Sequence, residues 1–173
     1  MMTRIVTRIL ENEHVAAASG GMLTFPQLTV LKFVAAGTPN GPCRVGDLAR
    51  HLQVSFPGAS QAVRRLARGG WVRTVRDRTD TRQMFLQLTP KARAAIRRHE
   101  SSKDRLVGRV LADTDQATMQ GWNDALEGLI GRLLLRGPSA NFLCLGCGIY
   151  PGPDCVAERH GARCPVQHAA SES

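Results

Sequence analysis

Apolar residues recur at three- and four-residue intervals through most of positions 1–136, and one stretch switches to strict alternation with polar neighbours. The first period predicts helices. Thr3 to Ala18 places Ile5, Ile9 and Val15 on one side, and Gly20 and Gly21 supply the stop. From Thr24, a residue suited to an N-cap, Phe25, Leu28, Leu31, Val34 and Ala35 give a second helix that the turn-rich segment Gly37 to Pro42 must end. Val45, Leu48, Ala49 and Leu52 predict a short helix over Val45 to Leu52, and Gln53 to Phe56 reads as a turn.

Pro57 to Arg68 follows as a helix, with Ser55 as the cap that accepts a backbone N–H and Pro57 in the first turn, where its missing donor costs nothing. At 100° per residue Ala59, Val63 and Leu66 share one side; Pro57, Gln61, Arg64 and Arg68 lie opposite, with Ser60 and Arg65 on the flanks. Gly69 and Gly70 end it. Trp71 to Arg76 and Met84 to Thr89 alternate like two exposed strands, and the polar run Asp77 to Arg82 between them is too long for a two-residue turn, so it reads as a projecting tip. Pro90 opens a long helix to about Leu111, and Thr114 to Arg136 gives another, striped by Trp122, Leu126, Leu129, Ile130 and Leu133. Two long helices beyond a compact core require a partner surface.

Charge sharpens this picture. The 173 residues carry a formal net charge of +9, yet the interval from Arg44 to Arg98 holds 13 basic residues against three acidic ones, Asp47, Asp77 and Asp80. Concentration of one sign around a helix and a hairpin is an electrostatic footprint for phosphate, whereas an ordinary solvated surface mixes signs. Helix, short turn, helix and β-hairpin is the order of a winged helix-turn-helix, whose second helix enters the DNA major groove. The expected fold class is therefore mainly α with a small β-hairpin wing.

At these residues the chain resembles the MarR family of bacterial transcription regulators. The segment Leu23-Thr-Phe-Pro-Gln27, the elements Val45-Gly-Asp-Leu-Ala-Arg-His-Leu52 and Val54-Ser55, the run Ser60-Gln-Ala-Val-Arg-Arg-Leu66 with Gly70-Trp-Val-Arg73, and the wing Asp77-Arg-Thr-Asp-Thr-Arg82 followed by Leu86-Gln-Leu-Thr-Pro90 are similar to the family's motifs in order and spacing. The resemblance implies an intertwined helical homodimer, with residues 3–19 and 91–136 in dimerisation and 24–90 in DNA binding. It also implies an inverted-repeat operator and, commonly, a repressor released by a small-molecule effector bound between the dimer and DNA-binding regions.

Base-edge chemistry makes Ser60, Gln61 and Arg64 the specificity candidates, since Gln pairs with adenine and Arg with guanine in two-bond geometry. Arg65, Arg68 and Ser55 are placed for phosphate. Arg82 and Arg78 suit a narrow minor groove, with Asp80 holding Arg82 extended; the competing reading of Asp80 and Arg82 is a local hairpin ion pair. Trp71, Phe85 and Leu88 read as wing packing, and Cys43, alone in a loop, as a small packed residue.

After residue 136 the composition turns to Cys, Gly and Pro, and residues 137–173 read as an added metal-binding tail. Cys144 and Cys147 form a C-x-x-C pair, and Cys155 and Cys164 complete four thiolates. Zinc (Zn) suits them. Pro165 directly after the last Cys also fits an iron–sulfur cluster, His160 and His168 are alternate ligands, and uncoordinated or disulfide-forming thiols are the remaining reading.

No apolar run approaches the ~18 residues of a membrane span. Arg4 and Arg8 interrupt the stretch where a secretory leader would be apolar, so the expected location is cytoplasmic. A metal- or thiol-dependent redox enzyme tethered to nucleic acid by a basic domain is the alternative function. It would need a base, a nucleophile and an open coordination position, and no such residue series accompanies the cysteines, so the expectation is not an enzyme. Aromatic residues at 5% are too few for a single-strand RNA reader that works by stacking.

Overall fold

A computed structural model describes residues 14–38, 41–76, 84–136 and Arg159. The elements are α1 (His14–Ser19), α2 (Phe25–Ala36), α3 (Val45–Leu52), α4 (Phe56–Arg68), β1 (Val72–Arg76), β2 (Met84–Leu88), α5 (Pro90–Leu111) and α6 (Gln116–Arg136). Residues 3–13 of the expected first helix lie outside the described residues, as do the wing tip 77–83 and residues 137–158 and 160–173 of the tail. Strands β1 and β2 pair antiparallel, from Val72 opposite Leu88 to Arg76 opposite Met84. The fold is a winged helix.

Each boundary has a local cause. Thr24 precedes α2, and its N–H donates to the Gln27 side chain at 2.9 Å. Asp47 accepts from the Arg44 N–H at 2.9 Å and starts α3. Helix α4 begins at Phe56, one residue before the expected Pro57, because Ser55 occupies the cap and its hydroxyl accepts from Gly58 at 3.3 Å. The last helix starts at Gln116 rather than Thr114, since Asp115 takes the Thr118 N–H at 2.9 Å and the Thr118 hydroxyl at 2.6 Å. A carboxylate beside free N–H groups outcompetes a hydroxyl there. Those bonds hold the exposed Asp115 carboxyl below its usual range.

The core lies under α2, α3, α4 and the hairpin root: Leu28, Leu31, Leu48 and Leu66 are almost fully buried, joined by Val63, Trp71, Val72, Leu86, Leu88, Ala92 and Ala95. Burying each large aliphatic side chain contributes about 1.5–3 kcal/mol. The Leu86 N–H donates to the Cys43 carbonyl at 2.7 Å, stitching the wing's return strand to the segment ahead of α3. The wing departs from the expected alternation. Only Val72 of β1 is buried and its other four residues are exposed, while Leu86 and Leu88 of β2 are buried, so the return strand is the one held to the core.

Helix α5 packs in its first half through Ala92, Ala95 and His99, then runs on with Val107 and Val110 exposed. On α6, Met119, Trp122, Leu126, Leu129 and Leu133 are exposed. Arg159, the one described residue of the tail, pairs with Glu127 of α6 at 2.8 Å. No helix among the described residues is long and apolar enough to cross a membrane.

Candidate nucleic-acid interface

Helices α3 and α4 are joined by a tight turn in which Gln53 adopts φ 53° and ψ 39°, and the Val54 N–H reaches back to the Ala49 carbonyl at 3.1 Å. This left-handed residue ends α3 and aims α4 outward. Ala59, Val63 and Leu66 form the buried ridge, as their spacing predicts. Gln61, Arg64, Arg65 and Arg68 are exposed, and Ser60 is half-buried. Arg64 donates to the Ser60 hydroxyl at 3.3 Å, which lays its guanidinium along the helix toward the N-terminus.

The field of this face is positive throughout. Among the described residues, Arg64, Arg65 and Arg68 have no carboxylate partner, and the nearby Asp47 is engaged by the Arg44 N–H and by Arg50. Arg65 and Arg68 in the last turn also oppose the helix dipole's negative end. On the wing, Arg73 donates to Gln87, its cross-strand neighbour, at 2.8 Å, and the Arg44 guanidinium lies 5.2 Å from the Phe85 ring centroid. Arg76 closes the described part of β1. The sequence-derived wing residues Arg78, Asp80 and Arg82 lie outside the described residues, as do Cys144, Cys147, Cys155 and Cys164.

Helix α4 is fixed to the wing and α5 by a compact junction. Gly70 takes φ 71°, and Trp71 donates its N–H to the Leu66 carbonyl at 2.9 Å, turning the chain into β1. The Trp71 side chain is buried and Lys91 sits 4.0 Å from its ring centroid while donating to the Gly69 carbonyl at 3.1 Å. Thr89 donates to the Gly70 carbonyl at 2.8 Å and accepts from Ala92 at 3.2 Å, so one hydroxyl caps α5 and holds the end of α4. Trp71 and Leu88 are wing packing as expected, and Phe85 is half-buried. The buried Cys43 thiol is pushed up to about 12, by desolvation first and the Asp47 charge second, so it is no thiolate at neutral pH.

A second cluster joins α2 to α5. Glu100 pairs with Lys32 and, at 2.7 Å, with Lys103; His99 Nδ1 lies 3.1 Å from the same carboxylate. The His99 ring is 3% exposed, and its Nε2 has no hydrogen-bond partner among the described residues. Burial lowers its pKa, the Glu100 hydrogen bond and charge oppose this, and Lys32 and Lys103 add to the lowering. The ring is neutral at pH 7. His14 Nδ1 meets Ser102 at 2.7 Å, and Arg98 donates to the Ala18 carbonyl at 2.9 Å, which binds α1 to the same helix.

Sequence reasoning overlooked three residues of this region: Phe56, which it left in a turn, Lys91, and Glu100. Phe56 carried a legible signal, since a residue directly after a capping Ser is the first of the helix. Lys91 and Glu100 carried none. Their contacts join segments far apart in the chain.

Residues 23–83 match the sequence profile of the MarR family. Among curated proteins, none matches the chain. Solved structures do. FabT of Streptococcus pneumoniae in complex with DNA is 19% identical with a TM-score of 0.61, covering 76% of this chain and 92% of that one. RV1404 of Mycobacterium tuberculosis is 19% identical with a TM-score of 0.65, covering 75% and 86% respectively. MarR of Staphylococcus aureus, in complex with salicylate and kanamycin, is 19% identical with a TM-score of 0.58, covering 79% and 87%. At these identities the likeness establishes the shared winged-helix fold.

Proposed function

We propose that this chain is a MarR-family regulator that binds double-stranded DNA sequence-specifically and represses transcription as a homodimer until a small molecule, or a redox or metal signal, releases it. One observation carries the reading: α4 presents Arg64, Arg65 and Arg68 on a face free of carboxylate partners among the described residues, on a fold shared with FabT, which was solved in complex with DNA. In this reading α4 enters the major groove, with Ser60, Gln61 and Arg64 toward base edges and Ser55, Arg65 and Arg68 toward phosphates. Arg78 and Arg82, oriented by Asp80, serve the adjacent minor groove.

The exposed apolar residues of α5 and α6 pack against a second copy, and two-fold symmetry then asks for an inverted repeat with half-sites ~34–36 Å apart. The salicylate in the S. aureus structure supports a small-molecule signal. The four tail thiolates, Cys144, Cys147, Cys155 and Cys164, hold zinc or an iron–sulfur cluster in this reading, and the protein works in the cytoplasm.

Selection from a random duplex library by the full-length protein, followed by binding titrations over a range of salt, tests the reading. A selected inverted repeat, steep salt dependence, relaxed sequence choice in Arg64→Ala, and a uniform loss in Arg68→Ala with the salt slope reduced by about 1 are expected. Failure to prefer any duplex over scrambled competitor refutes it. Metal analysis with a visible spectrum of anaerobically purified protein tests the tail: a colourless protein with one zinc, or sulfide-to-iron absorption, supports a metal, and neither refutes it.

A further inference from the structure

Phe56 is 60% exposed at the first position of α4. Among the described residues of 24–90 the other exposed large hydrophobic residues are Val54, two positions before it, and Val75 and Met84 on the wing; Phe33 and Trp71 are buried and Phe25 and Phe85 half-buried. Phe56 is thus the most exposed aromatic ring among the described residues of this lobe, and it is not among the residues packed against the core. Phe56, Ser60 and Arg64 follow at i, i+4 and i+8, which aligns them in one row along the helix, and Arg64 bonds Ser60 in that row. An apolar ring therefore leads the row that carries Arg64, which has no carboxylate partner among the described residues.

We infer that Phe56 is a specificity-determining residue that reads a thymine 5-methyl group in the major groove. The inference rests on the DNA-binding reading above and adds a residue to it. Recognition helices reach base edges with their N-terminal residues, so the ring at the first helical position sits deepest. The groove offers one strongly apolar feature among the base edges of the four pairs, the thymine methyl, and a Phe side chain meets it by apolar contact, whereas a lone Cβ at this position is about 4 Å shorter in reach. The positive field of Arg64, Arg65 and Arg68 commits the occupant of this face to a polyanion. A-form RNA presents a major groove too narrow for the helix and carries uracil in place of thymine, so the occupant is B-form DNA.

The test uses the selected duplex with deoxyuridine replacing thymidine at each symmetry-related pair of positions in turn, which removes only the methyls. The full-length protein is expected to lose about four-fold in affinity per half-site, or about sixteen-fold for one such pair, the loss set by the burial of one methyl group in each half-site. Phe56→Ala is expected to bind the thymine duplex about as weakly as wild type binds the uracil duplex, with no further loss on substitution; Phe56→Leu is expected to keep part of the discrimination. Thermal denaturation checks that both variants fold, as an exposed ring should allow. Wild-type indifference to the methyl at every position, or unchanged discrimination in Phe56→Ala, overturns the inference while leaving DNA binding intact. If no sequence is selected at all, the DNA-binding reading fails instead.

Discussion

Gly69→Ala sets two physical effects against each other, and the geometry decides the sign. Gly69 caps α4 at φ −75° and ψ −3°, a conformation open to alanine. Considered alone, the substitution restricts the unfolded chain and stabilises by about 0.4–1 kcal/mol. A Cβ at this position, however, lies 2.6 Å from Trp71 Cδ1 and 2.8 Å from Trp71 Nε1. That is roughly 1 Å inside van der Waals contact, and the indole has little room, being 3% exposed with Lys91 4.0 Å from the ring centroid. Overpacking a closed site costs about 1–3 kcal/mol, and displacing the ring from Lys91 forfeits about 0.5–1 kcal/mol more. The net expectation is a loss of about 2 kcal/mol, within a range of about 0.5–3.5, so the central value corresponds to roughly 4–8 °C in Tm for a chain of this size. Thermal and urea denaturation at one fixed protein concentration read it out, since association shifts apparent stability. In a Trp71→Leu background the clash is gone, and Gly69→Ala should be neutral or stabilising. A single variant as stable as wild type, or a loss that persists without the indole, refutes the reasoning.

Two further outcomes follow from backbone and burial. Gln53 holds a left-handed conformation that costs a side-chain-bearing residue about 1–2 kcal/mol, so Gln53→Gly should match or slightly exceed wild-type stability, whereas Gln53→Val should lose at least 1 kcal/mol; equal midpoints for the two in urea would remove the strain argument. His99 has its pKa lowered in the folded protein, so the unfolded chain binds more protons as pH drops. Stability is therefore full above the ordinary histidine value of about 6.5 and declines as pH falls from there through the folded-state pKa. Groups facing the ring are Glu100, Lys32 and Lys103, and replacing His99 with Phe should flatten this part of the curve; an unchanged slope in urea midpoints between pH 7 and 5 would assign the decline to other groups.

The helices were legible where one element's own spacing decides its packing. Ala59, Val63 and Leu66 are the buried ridge because an amphipathic helix beside a core has one way to turn, and Ser55 is the cap because its hydroxyl meets a free N–H one turn on. That cap assignment already makes Phe56 the first helical residue, so the proline at position 57 was the misleading signal. The strand pattern misled differently. Both strands read as exposed, which holds for Arg73 to Arg76 of β1, but Leu86 and Leu88 of β2 are buried because that strand is the one lying against α2. Lys91 over Trp71 and Glu100 between Lys32 and Lys103 stayed invisible, since such contacts depend on which segments tertiary packing brings together.

Helix α5 connects the two ends of the proposed mechanism. Its first half is built into the winged-helix lobe through Ala92, Ala95 and His99, and its second half exposes Val107 and Val110, which the proposed function packs against a second copy. Across 22 residues it spans about 33 Å. A rotation of only ~5° at the dimer end displaces the far end by about 3 Å, a quarter of the ~12 Å width of the major groove. Glu100 sits near the middle of this lever and ties it to α2 through Lys32, while Arg98 ties it to the end of α1. Under the proposed function, a signal that loosens either tie would change the spacing of the two α4 helices without touching α4. Replacing Glu100 with Gln should accordingly weaken binding to the two-half-site duplex more than to a single half-site, and equal weakening on both would show that the cluster supports only the fold of each lobe.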